Sequence, residues 1–129
     1  MKLFVSFLIT FFLVAATHAQ QSTIPATELK PVKLLQFEGT SNNNKILLSW
    51  MIGVNEYADK FEVERSTDGK NYVMVALVFG TDKNDTDHYM FYEKASEKKA
   101  MYRLKIFDKS KGVLYSNSVV VENNNTPVR

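Results

Sequence analysis

Apolar and polar residues alternate along this chain from Val32 onward, in short runs that turn-forming residues separate. A period of two matches the side chains on one face of a β-strand, whereas a helix repeats every 3.6 residues. Seven strands are predicted in this way: Val32–Phe37, Lys45–Ile52, Lys60–Ser66, Asn71–Phe79, His88–Glu93, Ala100–Asp108 and Val113–Val121. Seven short strands without a convincing helix are typical of an all-β, two-sheet sandwich.

The alternation also predicts which side chains face the core. The inward residues of the second, third, fifth and sixth strands are Ile46, Leu48, Trp50, Ile52, Phe61, Val63, Tyr89, Phe91, Tyr102, Leu104 and Ile106. The fourth strand contains the run "YVMVALVF", which is apolar on both faces, so its period cannot orient it. We expect this strand to carry a bulge or to be covered on both sides.

The first residues have a different pattern, with one Lys, an uncharged run from Leu3 to Ala16 and a small-x-small sequence that ends at Ala19. This pattern is typical of a secretory signal peptide at residues 1–19, since the apolar run is shorter than the roughly 20 residues of a membrane-spanning helix. We therefore expect an exported protein, periplasmic or extracellular, without a membrane span in the mature chain. Its parts would be an extended leader at 20–31, a β-sandwich domain at 32–122 and a disordered tail at 123–129.

Composition narrows the function classes. The chain has no cysteine, so no disulfide supports the fold and its stability rests on the core. Lys and Arg number 16 and Asp and Glu 14, and the charges are spread along the chain. Binding to a phosphate backbone needs several cations placed together, so no nucleic-acid partner is expected.

Six segments carry a resemblance to a known family: "LLQFEG", "NKILLSW", "FEVERSTDGKNY", "YMFYE", "MYRLKIFD" and "GVLYSNSVVV". In this order, over nearly all of Val32 to Val121, they resemble the fibronectin type III-like domains of secreted proteins in the Bacteroidetes. The resemblance implies a seven-stranded immunoglobulin-like sandwich with Trp50 and Tyr102 in its core. It also implies an accessory role, such as spacing, adhesion or contact with a partner.

The charged residues Glu62 and Glu64 alternate with apolar neighbours, and Asp68-Gly69 supplies a turn after them. A half-exposed strand and a chain reversal need this pattern, so we interpret the segment as scaffold rather than as a paired-carboxylate site. His88, near Asp85 and Asp87, is the one histidine left after the predicted cleavage. Because no nucleophile motif accompanies it, we predict no catalytic residue, no enzyme activity and no cofactor.

A possible metal site lies in "TDKNDTDHY", where oxygen-bearing side chains are crowded. The candidate ligands are Asp82, Asn84, Asp85 and Asp87. Calcium favours such oxygens, but the EF-hand pattern fails because Asp87 occupies the place of its required glycine. Asp and Asn are also ordinary loop residues, so a solvated loop is the alternative.

Two surfaces could bind a ligand. If the second and fifth strands are neighbours, an outward cluster forms from Leu47, Met51, Met90 and Tyr92. This cluster would contact a protein partner, or the leader would fold over it. An exposed aromatic beside polar groups could instead bind a glycan at Asn55, Glu56 and Tyr57.

The function expected from the sequence is an exported, non-catalytic interaction or adhesion module that makes protein contacts. The alternative is a glycan-binding module of a polysaccharide-handling system. A small hydrolase is a third class, which His88 alone supports.

Overall fold

Residues 31–124 are described by a computed structural model, in which the alternating runs form eight β-strands and one turn of 3₁₀ helix. The strands are β1 Lys33–Asn42, β2 Lys45–Gly53, β3 Ala58–Ser66, β4 Val73–Phe79, β5 Asp87–Lys94, β6 Lys99–Asp108, β7 Val113–Tyr115 and β8 Val119–Glu122. The 3₁₀ turn, Asn55–Tyr57, joins β2 to β3. No segment within residues 31–124 forms a helix that is long and apolar enough to cross a membrane.

The strands form two antiparallel sheets. One has the order β1-β2-β5, and the other has the order β4-β3-β6-β7, with β8 paired to β6. β1 pairs with β2, and β3 pairs with β4, in antiparallel hairpins. The predicted all-β sandwich is confirmed, with eight strands instead of seven.

The inner faces of the two sheets meet in one hydrophobic core. Trp50 and Tyr89, from neighbouring strands of the three-stranded sheet, stack with their ring centroids 5.6 Å apart. Phe61 reaches them from the other sheet, with its centroid 4.7 Å from that of Tyr89. All the residues predicted to face inward are buried except Phe91, which is partly exposed and packs against the core. The alternation therefore identified the core correctly.

The first hairpin is longer than predicted. β1 continues past Phe37 to Asn42, and only Asn43 and Asn44 separate it from β2. Their φ angles are +48° and +62°, as a two-residue type I′ turn requires. Asn tolerates positive φ better than most residues, so this turn fits the sequence although polarity had suggested a longer loop.

The last predicted strand is divided into β7 and β8. Between them, the backbone N–H of Ser116 donates to the carbonyl of Leu104 at 2.9 Å. The Ser116 Oγ accepts from the backbone N–H of Leu104 at 2.8 Å. A serine hydroxyl thus replaces a strand carbonyl at the break, which explains why apolar periodicity did not reveal it.

β4 is an edge strand of the five-stranded sheet and begins at Val73, two residues later than predicted. Its register against β3 shifts between Val63 and Glu64, so the predicted bulge is present. Val73, Met74, Leu77 and Phe79 are exposed, so this strand is not covered on both sides by the described residues.

The predicted signal peptide and the leader as far as residue 30 lie outside the described residues, as do residues 125–129 of the predicted tail. Asn123, assigned to the tail, is held in the domain. Its backbone N–H donates to the carbonyl of Lys98 at 2.7 Å, and its side-chain amide donates to Asn44 at 2.6 Å. The ordered domain thus extends past its predicted limit at Glu122.

Candidate binding surface

The outer face of the three-stranded sheet carries the predicted cluster of apolar side chains. β2 and β5 are neighbours, with Leu47 opposite Tyr92, and Met51 lies diagonally across from Met90. Met90 is 62% exposed and Tyr92 is 59% exposed, while the two β2 residues are half-buried. We call these four residues the apolar patch. The structure brings them together on one face because the strands pair in the order that the prediction assumed.

Two clefts open beside Tyr92, at the end of the sheet where the Asn43-Asn44 turn lies. The first has a volume of about 350 Å³ and is lined by Thr40, Asn42, Asn43, Lys45, Leu47 and Tyr92. The second has a volume of about 440 Å³ and is lined by Asn43, Asn44, Lys45, Tyr92, Glu93 and Lys94. Because Asn43, Lys45 and Tyr92 line both, we treat the pair as one region and call it the turn-end clefts. Their volumes fall in the range of small-molecule sites.

The turn-end clefts are positively charged. Lys45 on β2 lies directly opposite Lys94 on β5, and both are exposed. Glu93, next to Lys94, does not neutralise them, because its carboxylate is already paired. It accepts from the Arg65 guanidinium at 3.0 and 3.1 Å and from the hydroxyl of Tyr102.

The group around Glu93 ties the two sheets together. Arg65 and Tyr102 belong to β3 and β6 of the five-stranded sheet, whereas Glu93 belongs to β5 of the other sheet. Burial, together with the nearby Glu93 carboxylate, raises the pKa of Tyr102 above its ordinary value. The phenol therefore stays protonated and donates its hydrogen bond across the sandwich throughout the neutral range.

The sequence did not single out the polar side chains of the turn-end clefts. The sequence places Lys45 at the start of a predicted strand, Lys94 in the turn after another, and Asn42 and Asn43 in a loop. A signal was available, because two Asn residues between alternating runs favour a two-residue turn. The turn signal fixes the pairing of β1 with β2. It does not place Lys45 opposite Lys94, because that also requires the pairing of β2 with β5.

The loop between β4 and β5 holds the candidate calcium ligands, and their carboxylates have other partners. Asp87 is buried and accepts from Thr81 Oγ1, from Lys83 Nζ at 3.1 Å and from the backbone N–H of His88 at 3.0 Å. The hydrogen bond from Thr81 is the main reason that the pKa of Asp87 is lowered.

Asp82 and Asp85 point to different neighbours. Asp82 pairs with Lys109 Nζ at 2.6 Å, and Asp85 accepts from the backbone N–H of Thr86 at 2.7 Å. Asn84 is exposed. Within residues 31–124, no group of three or more His, Cys, Asp or Glu side chains is placed to hold a metal ion. The structure does not bring these candidate ligands to one point.

We expect calcium to leave the melting temperature unchanged when ionic strength is held constant, because Asp87 and Asp82 would have to leave existing partners to bind it. Binding to the folded state would instead raise stability by about 2.7 kcal/mol at a hundredfold excess over the dissociation constant. The measurement is a thermal melt with and without calcium. A calcium-specific rise that Asp85→Ala abolishes would contradict this expectation.

The candidate glycan residues near the 3₁₀ turn are placed differently from the prediction. Asn55 is fully buried, and its side-chain amide donates to Thr81 Oγ1 at 3.0 Å and to the carbonyl of Lys83 at 3.4 Å. Its side-chain oxygen accepts from the hydroxyl of Tyr89. Asn55 therefore organises the interior and is not available to a ligand at the surface.

Glu56 and Tyr57 are half-buried, and Tyr57 packs against the core. The backbone carbonyl of Tyr57 accepts from the N–H of Lys109 at 2.9 Å. The ring of Tyr57 is thus not the freely exposed platform that the prediction required. Tyr92 has that character instead.

The outward charges on β3 are paired across the sheet. Glu64 accepts from Arg103 at 2.6 Å, and Lys105 Nζ lies 3.6 Å from Glu62. The Arg103 guanidinium also lies 4.0 Å from the centroid of the Tyr72 ring. Each carboxylate has its own cation, which supports the interpretation of this segment as scaffold.

The turn after β3 is built as its sequence indicated. The Asp68 carboxylate accepts from the backbone N–H groups of Asn71 and Lys70, each at 2.8 Å, and these bonds hold its pKa far below the ordinary value. Gly69 has a φ of +74°, a conformation that glycine adopts without strain. Asp68 and Gly69 thus close a tight turn.

His88 lies at the start of β5, opposite Met51, and its side chain is exposed. Asp87, its neighbour, is occupied by the hydrogen bonds described above. Among residues 31–124, no described hydrogen bond joins the imidazole of His88 to a carboxylate or a hydroxyl group.

Comparison with known proteins finds similarity in structure only. No protein-family model and no curated protein matches this chain. A crystal structure of a DUF3823 family protein from Bacteroides ovatus is similar with a TM-score of 0.54 and 16% identity, over 70% of this chain and 54% of that one. The chain thus spans about half the length of the Bacteroides protein. Pectate lyase Pel3 from Pectobacterium carotovorum is similar with a TM-score of 0.49 and 18% identity, over 73% of this chain and 27% of that one.

At such low identity, the likeness to the Bacteroides protein concerns the fold alone. It agrees with the all-β sandwich described above.

Proposed function

We propose that this chain is an exported, non-catalytic interaction module with a fibronectin type III-like sandwich, and that it contacts a protein partner through the apolar patch. The sandwich type is supported by Trp50 and Tyr102, which are buried on β2 and β6 where the resemblance implies core residues. Export is supported by the pattern of residues 1–19.

The observation that carries the proposed function is the exposure of Met90 and Tyr92 beside Leu47 and Met51. Large apolar side chains gathered on one sheet face lose their contact with water when a partner covers them, and this supplies binding energy. Methionine adapts its shape to irregular surfaces, and tyrosine offers both an apolar ring and a hydroxyl group. Such a face favours contact with a protein over catalysis, which needs an enclosed pocket with perturbed titratable groups.

The test is site-specific photo-crosslinking in the native host. A photoreactive amino acid placed at Met90 is expected to give a discrete crosslinked protein. The matched control carries the same amino acid at Glu97, which is exposed in the turn between β5 and β6 and is not part of the patch.

Met51→Glu should abolish the crosslink from position 90, because it places a charge in the interface. The same crosslinks from positions 90 and 97, or none from position 90, would contradict the proposed function.

A further inference from the structure

We propose that the turn-end clefts beside Tyr92 bind an acidic oligosaccharide, with the Tyr92 ring beneath a sugar and the carboxylates of the ligand near Lys45 and Lys94. This site goes beyond the protein contact proposed above, since it adds a second class of ligand at one end of the same sheet. Four observations support it: the exposed ring of Tyr92, the amides of Asn42 and Asn43, the two lysines that lie opposite each other, and the position of these groups on the face of the sheet.

The Tyr92 ring provides a flat apolar surface between the two clefts. It belongs to β5, which ends at Lys94, and its backbone is fixed by pairing with Leu47 of β2. Its hydroxyl makes only a long contact of 3.9 Å with Met90 Sδ. A sugar has an apolar face of C–H groups and a polar edge, which matches a tyrosine ring bordered by hydrogen-bonding groups.

Amide side chains border the ring on the turn side. Asn42 and Asn43 are exposed, and no hydrogen bond joins their side chains to any other part of residues 31–124. Each amide offers both a carbonyl acceptor and an NH₂ donor. Sugar hydroxyls also donate and accept, so these two groups can bind them in either sense. Asn44 is different, because its side-chain oxygen already accepts from Asn123.

The lysine pair determines the charge of the ligand. Lys45 and Lys94 lie directly opposite each other on neighbouring strands, an arrangement that is unfavourable for two like charges. Neither forms an ion pair with a carboxylate of residues 31–124, whereas five other cationic residues do. An anion between them would relieve the repulsion. The carboxylate of a uronic acid is an anion that a sugar chain carries beside its hydroxyl groups.

The position of these groups favours a glycan over an acidic peptide. They project from the outer face of the sheet and not along its free edges, which belong to β1 and β5. An extended peptide that binds a sheet normally adds to a free strand edge through main-chain hydrogen bonds. An oligosaccharide needs only side chains, and the turn-end clefts offer side chains of each required type.

The experiment is isothermal titration calorimetry of the full mature chain with a hexauronate prepared from alginate. We expect binding of the hexauronate, weaker binding as ionic strength rises through about 0.1 M, and at least tenfold weaker binding of neutral cellohexaose. Tyr92→Ala and the double variant Lys45→Gln/Lys94→Gln should each weaken hexauronate binding at least tenfold. Phe79→Ala removes an aromatic that is 67% exposed on the other sheet, and it should leave binding unchanged.

Three results would overturn the proposal. They are no binding of the hexauronate, equal binding of cellohexaose, and tighter binding of a hexaglutamate peptide than of the hexauronate. The proposed function is tested separately. Lys45→Gln/Lys94→Gln should keep the crosslink from position 90, and Met51→Glu should keep hexauronate binding, so that failure of one proposal can be told from failure of the other.

Discussion

Replacing Trp50 with Ala is expected to lower the free energy of unfolding by about 3 to 5 kcal/mol. Trp50 is 2% exposed and lies between the sheets, stacked on Tyr89 and in edge contact with Phe61 at a centroid distance of 5.6 Å. Truncation removes these contacts and leaves a cavity that β-strands cannot collapse to fill. The indole N–H has no described partner, so the loss comes from packing and not from a broken hydrogen bond.

The measurement is denaturant unfolding followed by circular dichroism, since the variant lacks the one tryptophan. The loss is a large share of the 5 to 15 kcal/mol that stabilises a typical domain. Tyr57→Ala is the matched control: its ring is half-buried at the rim of the core, so it should cost far less. Equal losses for the two variants would contradict the placement of Trp50 at the centre of the core.

Replacing Asn55 with Ala is expected to cost about 2 to 4 kcal/mol, although asparagine is a common surface residue. Its side chain makes three hydrogen bonds in a fully buried position, to Thr81, to the carbonyl of Lys83 and from Tyr89. Alanine would remove all three and take from the buried Tyr89 hydroxyl its close acceptor, whereas Thr81 Oγ1 would keep its bond to Asp87. The expected cost is therefore larger than that of an ordinary exposed polar substitution.

Asn84→Ala is the control for Asn55→Ala, because Asn84 lies in the same region of the fold but is exposed. It should change the stability by less than about 0.5 kcal/mol. Both variants are measured by the same denaturant unfolding. A cost for Asn55→Ala no greater than that of Asn84→Ala would mean that the Asn55 hydrogen bonds do not stabilise the fold.

The sequence predicts the turns less completely than it predicts the strands. The sequence predicts the turn at Asp68 and Gly69 because a turn needs a side-chain acceptor and a positive φ, and the two residues that supply them are adjacent. The sequence predicts a longer loop around Asn43 and Asn44, because the polar residues on the outer face of β1 are also typical of loops.

The role of Asn55 could not be predicted from the sequence. Its partners Thr81 and Tyr89 are 26 and 34 residues away, on segments that only the packed sandwich brings to it. A polar residue in a loop is normally exposed, so the sequence around Asn55 favours a site at the surface. Burial of an amide is tolerated only where its hydrogen bonds are satisfied, and that condition depends on the tertiary structure.

The sequence by itself determined where most strands lie, the inward faces of β2, β3, β5 and β6 and the central residues of the core, because strand periodicity of two is a local property of the chain. It also placed the apolar patch, once neighbouring strands were assumed. Only the tertiary structure decided which polar groups meet: Lys45 opposite Lys94, Glu93 with Arg65 and Tyr102, and Asn42 and Asn43 beside Tyr92. The physical reason is that these pairs join strands distant in sequence, whose register no local pattern encodes.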